Sequence, residues 1–196
     1  MLVWDTYVLT CKHKETLQPL THIPQVIGHE TTHGFDNQGR QWGGNGTFVG
    51  DIMDETSGIN FNAAAQCLID QYNRYSPVFG FYVNGKQTLP ENIADLGGAK
   101  NAFRAYKAWV AANQPEFTDH QVVSSLTNDQ LFWTLLGQTW CTKATPVALV
   151  SQILTDTHSP SRYRVNGPLS NLDDFKDAFK CSGSSAMVHQ PQCILW

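Results

Sequence analysis

Apolar side chains recur at helical intervals through most of this chain. Ile23, Val26 and Ile27 open a pattern that runs to about Phe35, and Gly34 and Gly39 stand where such a helix has to stop. A second helix is predicted from about Met53 to Tyr75. The Ser76-Pro77 step closes it, because the residue before a proline is pushed out of helical geometry. A third begins near Pro90, where the missing proline N–H costs nothing in a first turn, and continues through Trp109. Leu131, Leu135 and Leu136 share one face of a fourth, about Asn128 to Thr142, and two more are predicted from Pro146 to about Asp156 and from Asn171 to Phe179. Between these, residues 37–50 read as a polar, glycine-rich loop, Tyr82-Val83-Asn84-Gly85-Lys86 as a hairpin turn, and Tyr163 to Val165 as a short strand. Residues 1–22 lack periodicity and form an atypical lead-in. Residues 23–196 read as one domain, mainly α-helical with minor β, without internal repeats.

Composition narrows the function more than the fold. A charged fraction of 15% and a formal net charge of −4 give no basic surface for nucleic acid and no lysine-rich patch for a membrane. No apolar run is long enough to span a bilayer, and the short apolar start is interrupted by Asp5 before it makes a signal sequence. Five cysteines, Cys11, Cys67, Cys141, Cys181 and Cys193, are scattered without a C-x-x-C pair. That spacing disfavours a thiolate zinc knuckle and suits long-range disulfides in an oxidising compartment, with one thiol left over by the odd count. Asn45-Gly46-Thr47 is an N-glycosylation sequon within the glycine-rich loop. Sequon and cysteines together suggest a secretory-pathway protein whose export signal is not in this sequence.

The chemistry concentrates at His29-Glu30-Thr31-Thr32-His33, an H-E-x-x-H pattern. Residues four apart lie nearly one above the other on a helix, so the two imidazoles converge on one ion. Glu30 lies about 100° round the helix, near that ion without having to bind it, and is left free to take a proton from water as general base. A catalytic Zn2+ also needs a third protein ligand and an open position. Glu91 and Glu55 are the candidates. Glu91 is preferred because Asp95, four residues on, faces the same way and can fix an imidazole through its free N–H. His158, with Asp156 two residues before it, is a donor suited to an oxyanion, and Arg164 offers a fork of donors for a substrate carbonyl or carboxylate. His13, His22, His120 and His189 have no companion pattern.

These residues together resemble the neprilysin and endothelin-converting-enzyme family of zinc endopeptidases. The matching text is Val26-Ile27-Gly28-His29-Glu30-Thr31-Thr32-His33-Gly34-Phe35-Asp36 and Glu91-Asn92-Ile93-Ala94-Asp95-Leu96-Gly97-Gly98. It continues with Phe103-Arg104-Ala105-Tyr106, His158-Ser159-Pro160 leading to Arg164, and Cys193-Ile194-Leu195-Trp196. The resemblance implies the C-terminal part of a gluzincin-type catalytic domain holding one Zn2+ on His29, His33 and Glu91, with Glu30 as base and Asp95 orienting His29. By the same resemblance His158, supported by Asp156, stabilises the transition state, and Arg164 contacts substrate backbone. Val26 and Trp140 match positions lining a pocket for a hydrophobic residue, so the implied substrates are short peptides cut on the amino side of such residues. The implied setting is extracellular or at the cell surface. Cys67 is expected to pair with Cys193, and Cys141 and Cys181 with cysteines of an upstream segment not in this chain.

The departures are specific. An upstream Asn-Ala strand that binds substrate backbone in the family has no counterpart here, since Asn101-Ala102 falls inside the third predicted helix. Thr31 and Pro90 replace the family's usual residues, and Cys11 has no equivalent. The expectation is a fragment, a truncated paralogue or a misplaced start. Its alternative function is a catalytically silent remnant that binds zinc or peptides. Other zincins fit less well: Gly39 stands where a metzincin places its third histidine, and Ile52 where zinc aminopeptidases place their glutamate.

Overall fold

The computed structural model describes residues 21–112 and 126–195, so most of the lead-in, with Cys11 and His13, and also His120, lie outside the described residues. Among these residues seven α-helices follow in order: α1 His22–His33, α2 Glu55–Tyr72, α3 Leu89–Ala112, α4 Asn128–Gln138, α5 Pro146–Thr155, α6 Ser161–Leu169 and α7 Asp173–Ala178. Extended structure among the described residues amounts to two isolated antiparallel bridges, Trp42 with Phe48 and Val78 with Phe81. The chain is therefore mainly α with minor β, as the periodicity predicts.

Local chemistry sets the helix ends. Asp54 caps α2 by accepting the Ser57 N–H at 3.0 Å, and Thr127 with Gln130 forms a reciprocal capping box at the start of α4. Thr145 caps α5, which has Pro146 at its first position. Two local expectations are corrected. The reversal is not at 82–86 but at Val78–Phe81, where Gly80 supplies φ +82°, while Asn84 instead caps the turn leading into α3 by accepting from Lys86 N and Gln87 N. The strand expected at 163–165 is helix α6. A lone three-residue strand has nothing to pair with, whereas the helix satisfies its own backbone, and Pro160 starts it at a compatible φ of −54°.

The core lies where α2, α3, α4 and α6 meet. Leu68, Tyr72, Ile93, Phe103, Trp133, Leu136, Val165 and Leu169 are all buried there. Phe103 stacks on Trp133 with centroids 4.5 Å apart, and Tyr75 on Tyr163 at 4.4 Å. The Cys67–Cys193 disulfide ties α2 to the C-terminal segment, as expected, and Asn171 Oδ1 accepts the Cys193 N–H at 2.8 Å. The expectation that Cys141 and Cys181 await cysteines of an upstream segment is corrected: Cys141 is already disulfide-bonded within this chain, and Cys181 is a half-buried free thiol among the described residues.

The feature that positions the site is the contact of α1 with α3, which is glycine on glycine. A Cβ added at Gly98 would fall 2.8 Å from both the Gln25 carbonyl oxygen and the His29 nitrogen. One added at Gly97 would fall 2.5 Å from Thr32 Oγ1, and one at Gly28 3.0 Å from Gly98 Cα. The two backbones approach as closely as they do because no side chain stands between them. That approach sets the first turns of α3 beside the second half of α1.

Candidate metal centre

Three side chains converge at this helix pair. His29 Nε2 and His33 Nε2 lie 3.1 Å apart, as helical spacing of four dictates. Glu91 Oε2 stands 3.3 Å from His29 Nε2, and its Oε1 3.5 Å from His33 Nε2. A tetrahedral zinc with ligand bonds of about 2.0–2.1 Å requires donor-to-donor edges of roughly 3.3 Å, and all three separations fall close to that. Two nitrogens and a carboxylate turned toward one point also match the ligand chemistry of a divalent cation, so the residues fit the ion. Glu55 lies outside this group, exposed in the first turn of α2.

Each of these side chains is held from behind. Asp95 is fully buried and places Oδ1 2.9 Å from His29 Nδ1, a short charge contact just outside hydrogen-bond alignment. Burial opposes the charged imidazole, but Asp95 and Glu91 outweigh it and push the His29 pKa up to about 9 in the metal-free protein. Burial would raise Glu91, yet His29, His158, His33 and Arg164 around it hold the carboxyl below its ordinary value, so it is ionised. Arg164 binds Asp95 with both prongs, Nε to Oδ2 at 2.8 Å and Nη2 to Oδ1 at 2.9 Å, and reaches Glu91 Oε2 at 3.4 Å. Its guanidinium lies 3.8 Å from the centre of the Trp140 ring.

Sequence reasoning gave Asp36 no role, but the structure does. Its Oδ2 lies 2.7 Å from His33 Nδ1, and its Oδ1 accepts the Gln38 and Gly39 N–H groups at 2.7 Å each. Both imidazoles thus have a buried carboxylate on the nitrogen facing away from the metal position. The available signal was an aspartate three residues past the second histidine, with Gly34 between them to end the helix.

The remaining candidate residues fall round this centre. His158 Nε2 is 3.1 Å from Glu91 Oε2, and its Nδ1 is 2.8 Å from Asp156 Oδ1. Burial would raise Asp156, but its bonds to the His158 backbone and ring lower it below the ordinary carboxylate range. The segment is tethered to the start of α3, where Ser159 Oγ donates to Asn92 Oδ1 at 2.8 Å and Gln87 Nε2 to the Asp156 carbonyl at 2.7 Å. Glu30 is exposed on α1, Val26 is 39% exposed one turn earlier, and Trp140 is half-buried beneath Arg164. No described helix is long and apolar enough to cross a membrane.

Comparison with known proteins agrees with this geometry. The model for peptidase family M13 matches residues 13–195. Endothelin-converting enzyme 1 of Cavia porcellus is 43% identical over 174 residues, which is 89% of this chain and 22% of that protein. Neprilysin-11 of Caenorhabditis elegans is 41% identical over 177 residues, again 89% of this chain and 20% of its own length. Among solved structures, the zinc metalloprotease Zmp1 of Mycobacterium tuberculosis bound to an inhibitor superposes with a TM-score of 0.81 at 34% identity, covering 91% of this chain and 27% of that one. The chain spans about a fifth of the length of the curated relatives it matches.

Proposed function

Because this chain belongs to peptidase family M13, we propose that it acts as a zinc metalloendopeptidase, cutting short peptides on the amino side of hydrophobic residues in an extracytoplasmic setting. One observation carries the reading: His29, His33 and Glu91 offer donor atoms all within 4.8 Å of one another, each braced from behind. When bound there, zinc supplies Lewis acidity that polarises a peptide carbonyl and acidifies water.

The chain's own residues then divide the work. Glu30, next to a ligand and not used in binding, takes the proton from the attacking water and passes it to the leaving amine. His158 donates from Nε2 to the developing oxyanion while Asp156 on Nδ1 keeps the ring oriented. Arg164 uses Nε and Nη2 on Asp95, so Nη1 is the donor available to a substrate carbonyl. Val26 and Trp140 offer apolar surface for the residue following the cut bond. The intrachain disulfide supports the oxidising setting.

The test uses purified full chain, stripped with a chelator and reloaded with zinc. Bound zinc is measured by elemental analysis and turnover with a quenched fluorogenic peptide carrying a central hydrophobic residue. His33→Ala and Glu91→Ala are expected to lose the metal. Glu30→Ala is expected to keep it and to lose about 10²–10⁴-fold in kcat. Full activity in Glu30→Ala overturns the assigned base, and a zinc-loaded parent that cleaves nothing overturns the enzymatic reading.

A further inference from the structure

The loop between the metal centre and α2 carries a feature the peptidase reading does not use. Trp42 and Phe48 pair as an antiparallel bridge, Gly43 N donates to the Thr47 carbonyl at 2.8 Å, and Gly46 N donates to the Gly43 carbonyl at 2.8 Å. The tip so formed is Asn45-Gly46-Thr47, exposed at all three residues, with Gly46 at φ +78° making the turn. Thr47 N donates to Asn45 Oδ1 at 3.0 Å, which closes an Asx turn and draws the threonine back over the asparagine side chain. Asn45 Nδ2 has no protein partner among the described residues.

We propose that Asn45 is an N-glycosylated residue and that Trp42 holds the first sugar. Three observations point the same way. The Asx turn engages the amide oxygen and leaves the amide nitrogen, the atom that must react, free beside Thr47. Trp42 stands three residues before Asn45, at the base of the same tip, and remains 51% exposed. Its ring meets Phe48 edge to face, with centroids 5.4 Å apart at 74°, a geometry that fixes the indole without covering both of its faces. Phe48, Val49 and Ile52 are also about half exposed or more, so the loop carries an apolar surface that a sugar face of C–H groups would cover.

The transfer balances as a simple displacement. The donor is an oligosaccharide on a lipid pyrophosphate. The Asn45 Nδ2–C1 bond forms as the bond from C1 to the pyrophosphate oxygen breaks, the lipid pyrophosphate leaves with the electron pair, and one amide proton passes to a base of the transferring enzyme. The base of the loop is pinned by Val49 N to the Gln41 carbonyl and Ile52 N to the Arg40 carbonyl, both 2.9 Å, and Arg40 N in turn donates to the Asp36 carbonyl at 3.2 Å. A sugar resting on Trp42 therefore stiffens a segment that begins at Asp36.

The experiment directs the full chain through the secretory pathway of a eukaryotic cell with an added signal sequence. The secreted protein is mapped by mass spectrometry with and without peptide-N-glycosidase treatment. We expect glycan on Asn45, its loss in Thr47→Ala and its retention in Thr47→Ser. Enzymatic removal of the glycan should lower the Tm of the parent by about 2–4 °C, the scale of one aromatic contact in a domain of this size. The same treatment should not move the Tm of Trp42→Ala. If Trp42→Ala does not fold, Trp42→Phe, which should keep the shift, is compared with Trp42→Leu, which should not. An unmodified Asn45 in folded, secreted protein overturns the site, and an equal Tm shift without the aromatic ring overturns the role of Trp42.

Discussion

Replacing Gly98 by alanine tests the glycine contact that places the proposed zinc ligands, because two effects of opposite sign compete there. In an exposed helix interior, glycine to alanine stabilises by about 0.5–1 kcal/mol through the restricted unfolded chain. At Gly98 the new Cβ meets the Gln25 carbonyl oxygen and the His29 nitrogen at 2.8 Å and His29 Cα at 3.1 Å. All three are backbone atoms of α1, so no side chain can rotate away. Restoring ordinary contact at about 3.4 Å requires α1 and α3 to separate by roughly 0.6 Å. Overpacking of this kind costs about 2–3 kcal/mol, and the propensity gain offsets about 1, leaving a net loss of about 1–2 kcal/mol. The same shift moves Glu91 and Asp95 away from His29, beyond the tolerance of about 0.2 Å that metal ligation allows. Zinc affinity should fall at least about tenfold, or 1.4 kcal/mol. Gly58→Ala on α2 is the control: its Cβ meets nothing nearer than Asp51 Oδ2 at 3.7 Å, so it should stabilise the protein and leave zinc binding unchanged. Urea denaturation and zinc competition against a chromophoric chelator measure both quantities. A Gly98→Ala protein as stable as the parent with unchanged zinc affinity would refute the argument.

Three further outcomes follow from the site and its surroundings. In the metal-free protein the folded pKa of His29, about 9, exceeds its ordinary 6.5, so its protonated contacts contribute stability that is fully present below pH 6.5 and lost as pH rises to about 9. The contribution is on the order of 3 kcal/mol, and the Tm of chelator-treated protein should drop across that window while zinc affinity rises; Asp95→Asn should flatten both curves. Asp36→Asn should weaken zinc binding by about 10–100-fold without removing a ligand, measured by the same competition, and an unchanged affinity would deny Asp36 any part in orienting His33. Reducing Cys67–Cys193, which closes a loop across 126 residues, should cost about 2–5 kcal/mol, read as a shift in the denaturation midpoint of Cys67→Ala/Cys193→Ala.

The centre was legible where helical periodicity and ligand chemistry coincide. His29 and His33 face the same way on any helix, and Glu91 with Asp95 repeats that spacing on another, so a convergent site could be read before any distance was known. How near the two helices come could not be read, because Gly28, Gly97 and Gly98 name each other as partners only once α1 lies on α3. Asp36 was missed for a similar reason, since it reaches His33 only after the chain turns back past Gly34. At 163–165 the β-favouring Tyr163 and Val165 misled the reading. Burial against Tyr72 and Tyr75 decided the conformation, and intrinsic preference gave way to it.

The three proposed zinc ligands and the two aspartates behind the imidazoles all belong to one helix pair and the turn that follows its first member. Val26 aside, the groups assigned to the substrate come from three other places: Trp140 after α4, His158 between α5 and α6, and Arg164 on α6. The proposed ion binding and peptide recognition therefore fall in separable parts of the fold. On the proposed reading, variation at the outer segments would alter selectivity while the inner unit stays intact, with Arg164 and His158, which both reach Glu91, as the side chains that join the two.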